Sequence, residues 1–444
     1  MTEGRPLKLI VQFSLPLLLG NIFQQTYNMV DAAIVGRVLG AEALGAVGSS
    51  GSVQFLILGF CTGLCTGFTI PIAQAFGAKT YSKMRSYIFH SVILTLLLSF
   101  LVTLLCSVFC KNIIKFISVP KNIFTDAFRY LFVIFLGVPF TLFYNLLSGV
   151  LRAVGDSRTP FIFLVISSVI NIALDLLFIV VFKWGVTGAS LATIISQAIS
   201  AILCFILILL KFEILHIKKQ DTTLSFFRTK RLLGMGIPMG LQFSITAIGS
   251  IVIQISTNKL GSVFVSAFAA GNKIKQLGIS PFDAIASAVS TYASQNYGAG
   301  KIKRIKKGLF EGTLLSLGVA AFIVCPMMII FPRLLSMIFI SASDIEVLLA
   351  SAKYVRNMGC FFWLISLLQI FRLTIQGLGF SNLAIFSGVF EMIARCTVGF
   401  GLVPFFAYNA IIFADPTAWL CAVLWCTPVL LYCLHKISVS STHY

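Results

Sequence analysis

The sequence predicts an all-α polytopic membrane protein, in which twelve transmembrane helices form two parallel six-helix repeats around a central cleft. Three observations predict this fold: the composition, the length of the apolar runs, and a repeat at half the chain length. The chain is 58% hydrophobic and only 11% charged, and its mean hydropathy is +0.99. A soluble domain carries roughly a quarter charged residues. The 42 phenylalanines exceed what an aqueous core accommodates.

The apolar runs are long enough to cross a bilayer as helices. Such a crossing takes roughly 20 residues, and in hydrocarbon a helix satisfies its own backbone groups. The first run follows a basic start but has no A-x-A cleavage site, so we interpret it as an uncleaved first span rather than a signal peptide. The predicted spans lie near 10–36, 43–74, 87–110, 128–151, 160–182, 186–210, 232–257, 264–293, 308–331, 353–378, 383–406 and 417–435.

The positive charges orient the predicted spans. More than half of the 33 Lys and Arg residues fall on segments that share one side if both termini lie inside. Because basic residues favour the cytoplasmic side, we predict a multi-pass protein of the plasma (inner) membrane with both termini in the cytoplasm. The net charge of +19 resides mainly on short loops beside membrane helices, which excludes nucleic acid as a partner.

A repeat divides the chain into two halves. "AQAFGAK" (73–79) returns as "SQNYGAG" (294–300), 221 residues later, and further matches occur at offsets of up to 224. Because six helices are an even number, both copies enter on the same side, as in some secondary transporters. We predict an amino-terminal lobe (1–210), a cytoplasmic linker (211–231) and a carboxy-terminal lobe (232–444). The Gly-Ala pairs at 77–78 and 298–299 are expected to let the chain reverse direction.

No cofactor is predicted. The cysteines show no CxxC spacing, the four histidines are scattered, and "GAGK" (298–301) lacks the residues of a nucleotide-binding loop. Any transport is therefore expected to use an ion gradient rather than ATP.

Several of these features resemble the multidrug and toxic compound extrusion (MATE) family. They are the residues Pro16, Asp31, Gly36 and Gly40 on the first helix, the "QAFGAK"/"QNYGAG" pair, and "LRAVGDSRTP" (151–160). The resemblance covers essentially the whole chain. It implies cation-coupled efflux of lipophilic, often cationic, small molecules by rocking of the two lobes.

Ionisable residues inside the spans are the candidate coupling site, because each costs roughly 2.5–3.5 kcal/mol at a helix centre. Asp31, Asp175 and Thr193 are predicted about 8–11 Å below the outer surface, at ~1.5 Å per residue. Asn171 precedes Asp175 by four residues and shares its helix face. These oxygens suit Na⁺, as a metal site of Asp31, Asn171, Asp175 and Thr193, or a proton held by the carboxylate pair. The resemblance places the same residues at the cation site of the DinF branch. Structural pairing of the acids with Arg or Lys, and simple polar contacts by Asn171 and Thr193, are the alternatives.

Other polar residues in the spans have weaker assignments. Glu391 and Arg395 have the spacing of a structural ion pair, with gating as the alternative. Asp283 is a candidate for a second protonation site or a cargo contact. The spans 232–257 and 353–378 contain no Asp or Glu, which departs from the NorM branch, whose members carry cation-binding acids on helices seven and ten.

The first helix carries candidates for cargo contact and for movement. Gln24, Tyr27 and Asn28 precede Asp31 and are predicted to line the cargo cleft or to make helix contacts. Pro16 removes one helix hydrogen bond and permits a bend. We expect protonation of Asp31 to bend this helix and so couple ion to cargo.

Two other classes of function are the alternatives to a secondary efflux transporter. A flippase for lipid-linked oligosaccharides would share the fold but needs a strongly cationic cleft. A membrane-embedded enzyme would need clustered His or acidic residues, so no enzymatic activity is predicted. The expected partners are small lipophilic or cationic molecules and membrane lipid, and the expected state is a monomer.

Overall fold

The computed structural model describes residues 1–117 and 119–442, and within them every regular element is helical. Among the described residues, nine helices are long and apolar enough to cross a membrane, and two further candidate spans are helix pairs bent by 46° and 54°. The eighth predicted span corresponds to a helix that carries Lys273, Lys275 and Asp283. Many apolar side chains face outward, such as Phe116 (89% exposed) and Phe322 (84%). The predicted all-α polytopic fold is confirmed.

The chain divides into two compact units. The amino-terminal unit is Leu19–Gly240; the carboxy-terminal unit is Met1–Leu18 together with the chain from Leu241 onward. Both divisions fall inside a helix, two residues after Pro16 and two residues after Pro238.

The first eight helices, numbered in chain order, supply six membrane-crossing segments. The pair α5 and α6 forms one bent span, α7 continues as a π-helical turn (Leu176–Val181), and short 3₁₀ turns follow α8. The helices are α1 (Pro6–Leu39), α2 (Ala41–Gly77), α3 (Tyr81–Val108), α4 (Cys110–Phe116), α5 (Phe124–Leu136), α6 (Val138–Ala153), α7 (Arg158–Asp175) and α8 (Gly185–Lys211).

The remaining ten helices also include a bent pair and π-helical turns. The pair α14 and α15 forms the second bent span, and π-helical turns follow α11 (Ala320–Val324) and α16 (Thr397–Leu402). The helices are α9 (Phe226–Asn258), α10 (Ser262–Gly298), α11 (Ile302–Val319), α12 (Cys325–Ile330), α13 (Pro332–Met337), α14 (Ile345–Gly359), α15 (Phe362–Gly377), α16 (Ser381–Cys396), α17 (Val403–Phe406) and α18 (Tyr408–Thr442).

Backbone conformation repeats at the offsets that the sequence predicts. Residues with left-handed φ recur in pairs 221 or 224 positions apart, and the π-helical turns at Leu176 and Thr397 are also 221 apart. The pairs are Gly40/Gly261, Lys79/Gly300, Gly155/Gly379 and Lys183/Ala407. The two-fold repeat is therefore present in the backbone as well as in the sequence.

The Gly-Ala pairs do not themselves supply the left-handed residue of the two repeated turns. Ala78 and Ala299 are in the right-handed helical region. The left-handed residue is the next one along, Lys79 (φ 56°) in the first repeat and Gly300 (φ 70°) in the second. Bonds from Lys79 N to the carbonyl of Phe76 and from Thr80 N to that of Ala75 close the first turn, as at many helix ends.

Candidate functional site

The amino-terminal unit brings Asp31 and Asp175 together. Asp31 lies on α1, and Asp175 is the last residue of α7 before the π-helical turn. Their carboxyl groups lie within hydrogen-bonding reach of each other. Asp175 is 0% exposed, and among the described residues neither of its carboxylate oxygens, nor Oδ1 of Asp31, has a donor. Two adjacent buried carboxylates repel strongly when both are charged, so the pair attracts a positive ion.

Two tyrosines flank the acid pair. Tyr27, one helical turn before Asp31, lies near Gln24, and its hydroxyl interacts electrostatically with both carboxylates. Tyr130 on α5 lies near Gln54 of α2 and also interacts with both acids. Helices α1, α2, α5 and α7 therefore all contribute polar side chains to this site.

Asn171 adds an amide to the same face of α7. It is 2% exposed, and neither its Nδ2 nor its Oδ1 has a partner among the described residues. Thr193 on α8 uses its hydroxyl to donate to the carbonyl of Ala189 in its own helix, at 3.1 Å. One turn beyond it, Oε1 of Gln197 is buried and unpaired within the described chain. Carboxylate and amide oxygens that accept no hydrogen bond are the ligands that a hard cation prefers.

An apolar cluster lies one helical turn beyond the acids. Val35 follows Asp31 by four residues and Ile179 follows Asp175 by four, and they are 0% and 1% exposed. They pack in one cluster with Val186 of α8. This cluster excludes water from one side of the acid pair, which strengthens the electrostatic interactions of the carboxylates.

The remaining predicted residues of α1 differ in burial. Gln24 and Asn28 are exposed, whereas Tyr27 is half-buried. Pro16 falls in the part of α1 that belongs to the carboxy-terminal unit.

The carboxy-terminal unit contains a chain of buried charges. Glu391 pairs with Arg395 at 3.2 Å and with Arg372 at 2.7 Å. Asp415 pairs with Arg395 at 2.9 Å and with Lys275 at 2.6 Å. The predicted Glu391–Arg395 contact is thus one link of a longer network.

Asp283 joins the same network through an amide. Gln369 of α15 donates from Nε2 to Oδ1 of Asp283 and accepts from Arg372 through Oε1. The network therefore contains three basic and three acidic residues, whose formal charges cancel. They lie on α10, α15, α16 and α18. Asp283 is connected to the pairs by a neutral side chain rather than by a direct ion pair.

Sequence reasoning missed several members of both sites. The predicted twelfth span begins near 417 and so does not include Asp415, whereas α18 begins at Tyr408. The apolar run 410–414 was the signal that could have extended the span. Tyr130 and Gln54 carried no local signal, because both are uncharged side chains far from Asp31 in the sequence.

The described residues contain no group of three or more His, Cys, Asp or Glu side chains that could hold a metal ion. The acid pair with Asn171 has the hard oxygens suited to Na⁺ and no soft ligand, so it does not resemble a transition-metal centre.

Repeated helical units with acids buried inside their membrane helices define the protein as a polytopic membrane transporter. The sequence model of the MatE family matches residues 16–177 and again 238–400, which begin 222 residues apart. The chain belongs to the MATE family, whose members are membrane transporters and not enzymes.

Individual relatives agree with this membership. The Bacillus subtilis protein named "Probable multidrug resistance protein YpnP" is 32% identical over 308 residues, 68% of each chain. Escherichia coli "DNA damage-inducible protein F" is 26% identical over 298 residues, 66% of this chain and 64% of that protein. A solved structure described as "Outward-facing conformation of a multidrug resistance MATE family transporter of the MOP superfamily" has a TM-score of 0.89 at 23% identity. It covers 98% of this chain and 97% of that chain.

Proposed function

We propose that this transporter exports lipophilic or cationic small molecules in exchange for H⁺ or Na⁺. Family membership and relatives whose names describe multidrug resistance support the export of such molecules. The expected setting is the plasma membrane, with both termini in the cytoplasm and the protein acting as a monomer.

The pair of Asp31, which is half-buried, and Asp175, which is fully buried, is the observation that carries the proposal. Two carboxyl groups in contact, with no donor among the described residues, gain most from one positive ion. A proton shared by the pair would relieve their repulsion. Na⁺ would do the same with Asn171 as a further ligand, and the Thr193 hydroxyl, which donates its hydrogen to the carbonyl of Ala189, would keep its oxygen lone pairs for the ion.

Ion binding would be linked to cargo release through movement of the two lobes, 1–210 and 232–444, joined by the linker 211–231. Asp31 lies on α1, where Pro16 removes a backbone hydrogen bond and allows bending. Pro238 stands at the corresponding position of α9. The boundary between the two units therefore crosses the chain in two helices, α1 and α9, that can both bend at a proline. The exposed side chains of Gln24 and Asn28 are candidates to contact cargo, and so is Asp283.

Export of small molecules fits the charges better than a flippase for lipid-linked oligosaccharides does. A pyrophosphate substrate needs uncompensated cationic groups. Lys275, Arg372 and Arg395 are each paired with a carboxylate at 2.6–3.2 Å, which leaves this network balanced.

Ethidium transport in proteoliposomes tests the proposal. The purified protein is given a sodium gradient at fixed pH, or a pH gradient without sodium, so that the driving ion is identified. Asp31→Asn and Asp175→Asn should each reduce gradient-driven transport to the level of empty liposomes. Asp344→Asn, which removes an exposed acid at the start of α14, is the matched control and should transport normally.

Unchanged ethidium transport in both Asp31→Asn and Asp175→Asn would remove the pair from the coupling mechanism. Transport that ignores both gradients in the unmodified protein would contradict antiport altogether.

A further inference from the structure

A cavity of about 720 Å³ lies in the amino-terminal unit, and neither Asp31 nor Asp175 lines it. It is formed between the start of α3 and the start of α9. Its lining residues are Thr80, Tyr81, Ser82, Lys83, Tyr87, Ser225, Phe227 and Arg228. Two cationic side chains, several hydroxyls and aromatic rings therefore converge at one end of the helices.

The cavity has a net positive charge. Lys83 is exposed and Arg228 is half-buried. The nearby carboxylate of Asp221 is neutralised by Arg85, whose Nε lies 2.6 Å from Oδ2, and it also accepts from the Ser82 hydroxyl at 2.7 Å. The positive charges of Lys83 and Arg228 therefore remain available to an anion.

A buried hydroxyl also lacks a partner there. Tyr87 lines the cavity and is 1% exposed, and its phenolic oxygen has no hydrogen-bond partner among the described residues. A buried hydroxyl without a partner costs about 1–3 kcal/mol, so a ligand oxygen beside it would be favoured.

Exposed apolar residues adjoin the cavity-lining residues Ser225 and Phe227 in the sequence. Leu224, Phe226 and Phe227 are 77%, 82% and 69% exposed. They stand where the polar connection after α8 meets the membrane helix α9. Aromatic side chains at such a boundary are typical of the bilayer interface, and basic pockets beside membrane helices bind lipid headgroups.

We propose that this cavity binds the phosphate group of an anionic membrane phospholipid. Lys83 and Arg228 bind the phosphate oxygens, and the Tyr87 hydroxyl donates to the headgroup. Phe226 and Phe227 pack against the glycerol and the first part of the acyl chains. With both termini in the cytoplasm, this lipid belongs to the inner leaflet.

Native mass spectrometry of the full-length protein tests the assignment. The protein is mixed with equal amounts of dioleoyl phosphatidylglycerol and dioleoyl phosphatidylcholine, which differ in headgroup charge. The unmodified protein should retain phosphatidylglycerol in preference. Lys83→Glu combined with Arg228→Ala should reduce that preference about tenfold or more, because each basic residue near an anionic surface contributes several-fold. Lys230→Ala removes an exposed charge from the helix that carries Arg228, but outside the cavity, and should leave the preference for phosphatidylglycerol unchanged.

Folding is controlled separately because Arg228 also donates to Ser86. Lys83→Glu alone changes only an exposed side chain and should still lower phosphatidylglycerol retention, whereas Arg228→Lys, which keeps the charge, should largely preserve it. Equal retention of the two lipids, or normal preference in Lys83→Glu, would overturn the proposal. Inorganic phosphate is the third probe: if it binds this cavity and phosphatidylglycerol does not, the ligand is a free anion and the lipid assignment is wrong.

Discussion

Lys275 and Asp415 form a close ion pair inside the carboxy-terminal unit, with Nζ 2.6 Å from Oδ2. They stand on α10 and α18, 140 residues apart in the sequence. Arg395 pairs with the other oxygen of Asp415 at 2.9 Å, so this carboxylate contacts two cations. In a buried network of this kind, removing one partner leaves an uncompensated charge, which costs more than the pair itself contributes.

Asp415→Asn should therefore destabilise the protein by about 3–5 kcal/mol, because Lys275 would lose its counter-charge and Arg395 would keep only its pair with Glu391. Chemical denaturation in detergent measures the loss. Lys307→Ala is the control: its pair with Glu311 is 3.9 Å long and Lys307 is 67% exposed. That change should cost at most about 1 kcal/mol. The double variant Lys275→Met/Asp415→Asn should recover part of the stability, and equal losses in the single and double variants would argue against direct coupling.

The contact between α2 and the first part of α9 depends on glycine. A Cβ on Gly67 would lie 2.5 Å from the Cα of Gly236, and a Cβ on Gly240 would lie 2.8 Å from the carbonyl oxygen of Phe60. Gly67→Ala should thus destabilise the amino-terminal unit by about 1–3 kcal/mol through overpacking. Gly51→Ala on the same helix meets nothing within 4 Å and serves as control. Thermal unfolding of the two variants measures the difference, and the melting temperature of Gly67→Ala should be the lower one. Equal melting temperatures would contradict the close packing.

The repeated turns offer a matched pair of substitutions. Lys79 has φ 56°, a conformation that costs a non-glycine residue about 1 kcal/mol, whereas its counterpart Gly300 has φ 70° without that cost. Lys79→Gly should stabilise the protein by up to about 1 kcal/mol, and Gly300→Ala should destabilise it by a similar amount. Opposite shifts in melting temperature are expected. Shifts of the same sign would contradict this account.

Local patterns predicted the architecture because each depends on neighbouring residues. Hydropathy and charge located the helices, and the similarity of "AQAFGAK" to "SQNYGAG" revealed the repeat. A side-chain pairing such as Lys275–Asp415 depends on the packing of helices far apart in the sequence, which no local pattern encodes. The acids Asp31 and Asp175 could be identified as candidates because a charge inside a span is costly. Tyr130 could not, because an uncharged tyrosine in a membrane span gives no such signal.

The two repeats share backbone conformation but differ in the side chains at equivalent positions. The π-helical turns after Asp175 and Cys396 occupy equivalent positions, yet only the first carries a carboxylate. The position of Arg395, two residues before the second turn begins, is occupied by Leu174 in the first repeat. The same backbone thus supports an acid pair in one unit and a balanced network of charges in the other.

The connection between α8 and α9 should loosen in acid. Burial raises the pKa of Asp221, but bonds from Ser82, Arg85 and the backbone of Lys218 outweigh it, so the pKa lies below its ordinary 3.8. The ionised form therefore stabilises the folded state above about pH 4, and this contribution is lost as pH falls through the folded pKa. Asp221→Asn should cost about 1.5–3 kcal/mol at neutral pH. The difference from the unmodified protein should stay constant from neutral pH to about pH 5 and shrink below pH 4. Unfolding measured across this range tests the sign, with exposed Glu213→Gln of the same connection as the control. A difference that grows towards low pH would contradict the ion pair.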